Sequence, residues 1–505
     1  MAFPVYQPFQ NEWLTFGAFF VGIFAVIGLA EFIRKKANWS AEASRKIVHV
    51  LVGVMIFWAR FLFTSPTPAI VIAMLFILIN ALALKQQAFQ GMHATGRFTL
   101  GTVFYPLSFL ILVLAFWNRD PAILLISFLI LALGDPLAAQ VGENVKNPRT
   151  FVLWQDQKSL QGSLSLGIAA FIITATGLPI LRSLEGLPVP SVQMILLISM
   201  AVGVIGALAE SMSLAGSDNL TLPLGVALTL DILLRFNATQ QWLFFLWLSI
   251  AFLFAFSAYR LNVLSLSGTI AAFLLGTFVF AVGGIQWMIP MGTFFVFSSL
   301  LSKIGKRKKQ VLESVYEKTS NRDMMQVFAN GGIGGLMVIV WHYTQMDLFY
   351  YAFLGSLAAA TADTWATEIG VFSRQQPRHI LNFRPVSMGT SGGITTMGTT
   401  GAALGSGVLT FSGWVIPIGS IHPFFQGNIF LVIVVSGILG ALLDSVLGAT
   451  VQAQYQCAQC DKITEKTVHC SKPTAQIRGY HWINNDVVNL CCTAAGALLV
   501  ILFLV

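Results

Sequence analysis

Apolar residues run through this chain in blocks of about twenty, separated by short polar loops, and that spacing leaves few folds open. A helix crosses the hydrocarbon core of a bilayer in about 20 residues. In lipid every backbone N–H and C=O must find a partner within the protein, which favours helices. Such blocks lie near 13–33, 47–63, 67–84, 99–118, 121–141, 162–181, 191–212, 222–238, 239–258, 264–285, 286–301, 327–345, 348–370, 393–417, 427–449 and 485–505. The chain is 56% hydrophobic and only 10% charged, where a soluble domain carries about 25% charged residues. The expectation is an all-α, polytopic integral membrane protein of about 16 transmembrane helices. They fall into two duplicated halves of about eight, residues 1–238 and 239–505.

The net charge is +8. Its distribution speaks for topology and against nucleic acid. Lys and Arg cluster in the short loops 34–46, 146–158, 303–309 and 374–384, and these alternate with loops poor in both. That is the positive-inside pattern, so these loops are assigned to the cytoplasm. No basic n-region precedes the first block, which reads as a retained helix with its N-terminus outside. A prokaryotic inner membrane, with the active sites on its cytoplasmic face, is the expected location.

Ionisable residues in lipid are costly and mark function by default. In the first half they gather on the cytoplasmic side. "SRKIVHVLVG" opens the second block with Arg45, Lys46 and His49. "GRFTLGTVFYP" brings Arg97 to the fourth, and "LALGDPLAAQVGENV" ends the fifth with Gly134, Asp135 and Gly142. "QKSLQGSLS" opens the sixth with Lys158, Ser159, Gly162 and Ser163, and "AESMSLAGSDNLTLP" carries Glu210, Asp218 and Asn219. This set suits a phosphate site. Mg²⁺ takes one or two carboxylates plus phosphate oxygens, which Asp135, Asp218 and Glu210 can supply. Lys158 stands just before a helix start, where free N–H groups and the dipole favour anions. Gly162 admits close approach, and Arg45, Lys46 and Arg97 add charge. His49 is the candidate base for an attacking hydroxyl.

The second half repeats the order, as an old duplication would. Asp363, Ala366 and Gly370 match Asp135, Ala138 and Gly142. "VSMGTSGGITT", with Gly392 and Gly393, stands against "QDQKSLQGSLS". Asp444 matches Glu210, and "INNDVVNL", with Asn485, Asp486 and Asn489, matches "SDNLTLPL". "NRDMMQVFANGG" holds Arg322 and Asn330 at the place of "GRFTLGTVFYP". Asp363, Asp444 and Asp486 are the expected Mg²⁺ ligands, with the three asparagines beside them. Lys303, Lys306, Arg322, Arg378 and Arg384 are candidates to meet an anionic acceptor.

Loop 450–482 holds Cys457, Cys460, His469 and Cys470, spaced C-x₂-C-x₈-H-C. A C-x₂-C knuckle with a second ligand pair can build a four-coordinate zinc site. His481 is an alternative fourth ligand, and reduced free thiols are the other reading. Cys491 and Cys492 fall within the last block as packing residues.

At these motifs the first half, about residues 40–235, resembles the phytol kinase and dolichol kinase group, relatives of the CDP-diacylglycerol synthases. The resemblance implies CTP- and Mg²⁺-dependent phosphorylation of a long isoprenoid alcohol. It carries roles onto Asp135, Lys158, Gly162, Ser163, Glu210, Asp218 and Asn219. Gln161 departs from the group, where an acidic residue is expected. Residues 260–505 resemble the transmembrane-protein-19-like family, which includes a phytyl-phosphate kinase. Through "ATADTWATEIG", "GTSGGIT", "DSVLGATVQ" and "NNDVVNL" this implies conversion of an isoprenyl monophosphate to the diphosphate. Two other classes stay open. A cytidylyltransferase would use the same nucleotide site and release pyrophosphate. A transporter also carries repeats and intramembrane carboxylates, although it holds them near the midplane.

Overall fold

The computed structural model describes residues 5–86, 99–154, 156–304, 321–415 and 427–505. Each of the sixteen apolar blocks coincides with a helix, from Glu12–Ala37 to Asn485–Leu504. Among the described residues, eleven helices are long and apolar enough to cross a membrane. The other five, Ala41–Leu62, Gly101–Phe116, Asp218–Arg235, Asp347–Gly370 and Thr396–Trp414, are shorter or carry more polar residues. The chain divides into two compact units, Met1–Asn237 and Ala238–Val505.

The all-helical expectation misses several short antiparallel ladders. In the first unit Thr150–Val152 pairs with Gln157–Ser159. In the second, Arg378–His379 pairs with Gly393–Ile394. The loop 450–482 holds a three-stranded sheet, with Gln454–Gln456 between Ile463–Thr464 and Ala475–Arg478. These strands are two to four residues long, too short to stand out in a hydropathy pattern.

Helix starts follow capping chemistry. Ser40, Ser159, Ser191, Ser265, Thr395 and Asn484 each accept a backbone N–H from the first turn. This satisfies one of the donors that every helix start leaves open. Inside the first unit, the helix that begins at Pro121 passes into a π-helical turn, Ile130–Gly134, before resuming at Asp135–Asn144. Pro136 explains it. Proline has no N–H to give the carbonyl four residues back, and its ring presses on that carbonyl. One wider turn relieves the clash, and such bulges are frequent at functional sites.

Candidate functional site

A cavity of about 1400 Å³ runs through the first unit. One part is apolar, walled by Ile23, Ile27, Val52, Ile56, Ile72 and Phe76. The other part is polar and gathers Arg45, Asp135, Lys158, Ser159, Glu210 and Asp218. Residues from four separated motifs of the sequence thus share one chamber.

The polar end is built on a helix crossing. Ser159 caps the Leu160–Leu184 helix, its Oγ accepting the Gly162 N–H at 3.1 Å. A Cβ on Gly162 would sit 2.7 Å from the Ala138 carbonyl oxygen, and one on Gly142 would sit 2.6 Å from Ser159 Oγ. Both glycines therefore allow the capped helix start to lie directly on the Asp135–Asn144 helix. Gly134 plays no such part, since a Cβ there meets nothing closer than 3.5 Å. Gln161 accepts the Arg149 N–H at 3.1 Å through its side-chain oxygen and closes the adjoining hairpin, a task an acidic residue would also perform.

Lys158 is the hub. Its ammonium pairs with Glu210 and lies 3.8 Å from Asp218. Burial works against its charge, but Glu210 and then Asp218 outweigh burial and raise its pKa above the ordinary lysine value. Lys158 therefore stays protonated through neutral pH. Glu210 Oε2 accepts from Ser163 at 3.4 Å, and Ser163 lies 3.0 Å from Ser211 Oγ. Asp218 accepts from its own neighbour Asn219, both backbone and side-chain amide, at 3.0 Å. Asp135 faces Asp218 and Glu210, with Lys158 and Arg45 as the opposing charges. Three carboxylates around one lysine leave net negative charge among hard oxygen donors, which fits Mg²⁺. Arg45 Nε is buried and has no hydrogen-bond partner among the described residues, so it is open to an anion.

Other expected site residues are placed differently. Lys46 is engaged by Glu143 at 2.7 Å rather than open to a phosphate. His49 Nε2 lies 3.1 Å from the Leu131 carbonyl, which the π-turn exposes, and its ring packs against Tyr105 at 4.5 Å. Only Nδ1 is then left for base chemistry. Arg97 lies outside the described residues. Sequence reasoning overlooked the loop at Ala215–Gly216. Its Ala215 carbonyl accepts from Leu100 N at 2.9 Å and Thr99 Oγ1 at 3.1 Å, and Gly216 has φ +85°. The signal was "LAGSDN", where a glycine two residues before the aspartate permits the left-handed turn.

The second unit reproduces the crossing. Thr395 Oγ1 accepts the Gly398 N–H at 2.9 Å, and a Cβ on Gly398 would stand 2.9 Å from the Ala366 carbonyl. Gly370 faces Thr395 as Gly142 faces Ser159. The counterparts of Ser159 and Gly162 are therefore Thr395 and Gly398, not Gly392 and Gly393. Gly392 instead has φ +81° and packs on the Gly427–Thr450 helix at Ser445 and Ala449. Gly393 pairs with His379 in the short ladder. Where Lys158 precedes Ser159, Ile394 precedes Thr395.

Asp444 faces Asp363 and Glu465, and its Oδ2 is buried without a hydrogen-bond partner among the described residues. A buried carboxylate oxygen without a hydrogen-bond partner, facing a second carboxylate, suits a cation ligand. Asp486 is buried at the start of the last helix. Asn484, not Asn485, makes the cap, and Asn489 is half-buried one turn on.

Arg322 lies over Phe294 and Phe295, at 5.4 and 5.5 Å from the ring centres. It lines a separate cavity of about 310 Å³ with Gln326, Asn330 and apolar side chains. Burial pulls Arg322 down to about 10, with Glu368 opposing, so it too is charged at neutral pH. Asn330 donates to the Gln326 carbonyl at 2.8 Å. Lys303, Arg378 and Arg384 are exposed, and Lys306 lies outside the described residues. The ligand atoms of Cys457, Cys460, His469 and Cys470 lie within 4.8 Å of one another, while His481 is exposed.

Residues 249–497 match the family model described as "Integral membrane protein DUF92". Protein PGR of Arabidopsis thaliana is 32% identical over 260 residues, covering 48% of this chain and 88% of that protein. A protein named phytol kinase from Synechocystis sp. is 31% identical over 217 residues, covering 43% of this chain and 90% of the relative. Protein VTE6, chloroplastic, of Arabidopsis thaliana is 26% identical over 244 residues, with 47% and 65% covered. No solved structure matches. The chain belongs to the DUF92 family of integral membrane proteins and has relatives named phytol kinase and VTE6.

Proposed function

We propose that this protein is a membrane prenol kinase that works in two steps. The first unit phosphorylates an isoprenoid alcohol such as phytol or geranylgeraniol, and the second phosphorylates the resulting monophosphate. One observation carries the reading. A single cavity joins an apolar slot to a lysine, three carboxylates and an unpartnered arginine nitrogen. A long apolar alcohol fits the slot with its hydroxyl at the polar end, and a nucleoside triphosphate fits the charges there. The relative named phytol kinase supports the substrate class. CTP as donor follows from the family resemblance.

In the first unit Arg45 and Lys158 bind phosphate oxygens, and the start of the Leu160–Leu184 helix adds the positive end of its dipole. Asp135, Asp218 and Glu210 would hold Mg²⁺, which neutralises phosphate charge when bound. The alcohol oxygen bonds to the γ-phosphorus while the bond to the β,γ-bridging oxygen breaks. The bond's electron pair leaves with the nucleoside diphosphate, and the hydroxyl proton passes to a carboxylate of the cluster. Such transfer depends chiefly on positioning and charge stabilisation. In the second unit Asp363, Asp444 and Asp486 would hold the cation. Arg322, above its mostly apolar cavity, receives the phosphate of the monophosphate acceptor. The polar ends are assigned to the cytoplasmic side by the basic loops.

The test uses γ-labelled CTP or ATP with phytol or phytyl monophosphate. Asp135→Asn should abolish alcohol phosphorylation and leave monophosphate phosphorylation intact, and Asp363→Asn should do the reverse. A variant that keeps both activities overturns the assignment of one site to each unit. Release of pyrophosphate with a CDP-lipid product would identify a cytidylyltransferase instead.

A further inference from the structure

The loop between the Asp444 helix and the Asp486 helix carries a group of side chains that the proposed chemistry leaves unused. Cys460 Sγ lies 3.5 Å from His469 Nδ1 and 3.9 Å from Cys470 Sγ, and Cys470 Sγ lies 3.2 Å from His469 Nδ1. Cys457 Sγ completes the group within 4.8 Å. Tetrahedral zinc, with Zn–S about 2.3 Å and Zn–N about 2.0 Å, spaces its sulfurs by about 3.8 Å and sulfur from nitrogen by about 3.5 Å. The three edges among Cys460, His469 and Cys470 are close to those of a zinc tetrahedron, and Cys457 stands near enough to supply the fourth vertex. Three thiolates and an imidazole form a soft donor set suited to that ion. A fully protein-ligated site with no open position is structural rather than catalytic.

The backbone is shaped around the same point. The knuckle turns back on itself, with Asp461 N bonded to Cys457 O at 2.9 Å and Cys457 N to Lys462 O at 3.0 Å. His469 and Lys472 pair across a two-residue turn, and its members Cys470 and Ser471 have φ 50° and 60°. Neither is glycine, so something must hold them there.

What the knuckle holds reaches the carboxylates. Glu465 lies between the two ligand pairs. Its Oε1 accepts from Ser391 Oγ at 3.0 Å and from Gln452 Nε2 at 2.9 Å. Ser391 precedes Gly392, which packs on the helix beside Asp444. The same loop ties both flanking helices together. Arg478 donates to Gly448 O at 2.7 Å, and Ala453 N bonds to Ile483 O at 2.9 Å.

We propose that Cys457, Cys460, His469 and Cys470 bind a structural Zn²⁺, and that the loop so folded holds Glu465 onto Ser391, fixing segment 386–396 over Asp444. This holds whatever reaction the carboxylates serve.

The experiment measures metal in the full chain, purified in detergent without chelator, by inductively coupled plasma mass spectrometry. The expected result is one zinc per chain, falling at least tenfold in Cys460→Ser and Cys470→Ser. Should those variants fail to fold, wild-type protein stripped with a chelator and reloaded with Co²⁺ should show thiolate-to-cobalt absorption. Zinc below a tenth of the chain concentration together with no such absorption overturns the site, as does stoichiometric iron or copper in its place. Hydrogen exchange then tests the positioning role. Amides of 386–396 should exchange at least tenfold faster after zinc removal. Glu465→Ala, which removes the acceptor of the Ser391 and Gln452 bonds, should loosen the same amides while keeping its zinc. Unchanged exchange in both would overturn the positioning role and leave the zinc site standing.

Discussion

The two glycines that flank Asp135 do different work, and that difference can be measured. Gly142 has no room for a methyl group, because a Cβ there would lie 2.6 Å from Ser159 Oγ, the atom that caps the next helix. Gly134 has room, with its nearest neighbour 3.5 Å away. Gly142→Ala should lower the melting temperature by the equivalent of about 1–3 kcal/mol, the usual cost of overpacking. It should also cost most of the alcohol-kinase activity by displacing the Ser159 helix start. Gly134→Ala should leave both close to wild type. A thermal melt and one activity assay on the pair settle it, and equal behaviour would remove Gly142 from the helix crossing. From sequence alone the two glycines look alike, because only the packing partner separates them. The same is true of Lys46. Its charge is legible in the sequence, but its engagement by Glu143, 97 residues away, is not.

At the scale of elements, the π-turn before Asp135 sets where that carboxylate points. It arises from Pro136, and it frees the Leu131 carbonyl that His49 meets. Pro136→Ala restores an N–H that can bond to the Ala132 carbonyl, so the wide turn is expected to close to ordinary helix. The following residues then rotate by a fraction of a turn, taking Asp135 away from Asp218 and Glu210. The expected outcome is a fold of similar or greater thermal stability with alcohol phosphorylation reduced at least tenfold and monophosphate phosphorylation unchanged. Retained alcohol-kinase activity would mean that the π-turn is incidental. Proline in an apolar run signals a distortion. Its form is fixed only by the helices packed around it, such as the one whose Gly53 lies against Ala132.

At the scale of the whole molecule, the helices were the most legible part, since a bilayer imposes length and apolarity on a helix that crosses it, and eleven among the described residues meet both. The short ladders were not, because two or three residues carry no periodicity. The repeat was legible at Asp363, Ala366 and Gly370. It was misaligned at the next motif, where the glycine-rich run 389–393 drew attention away from Thr395 and Gly398. A hydroxyl cap followed by a glycine three residues later is a weaker pattern to the eye, yet it is the one the helix crossing requires. The polar end of the cavity was legible in its charged motifs, but the apolar part was not, because its walls come from helices whose mutual packing no local pattern encodes.

That cavity has a kinetic consequence. Under the proposed function, an alcohol that enters along walls such as Ile23, Ile56 and Phe76 would be drawn from a two-dimensional solvent, so the relevant concentration would be its mole fraction among lipids or detergent. Diluting phytol with inert detergent at constant bulk concentration should lower the rate, as though substrate had been removed. Adding water at constant mole fraction should leave the rate unchanged while the nucleotide is saturating. The proposed kinase would then read the composition of its membrane rather than the amount of substrate in the cell.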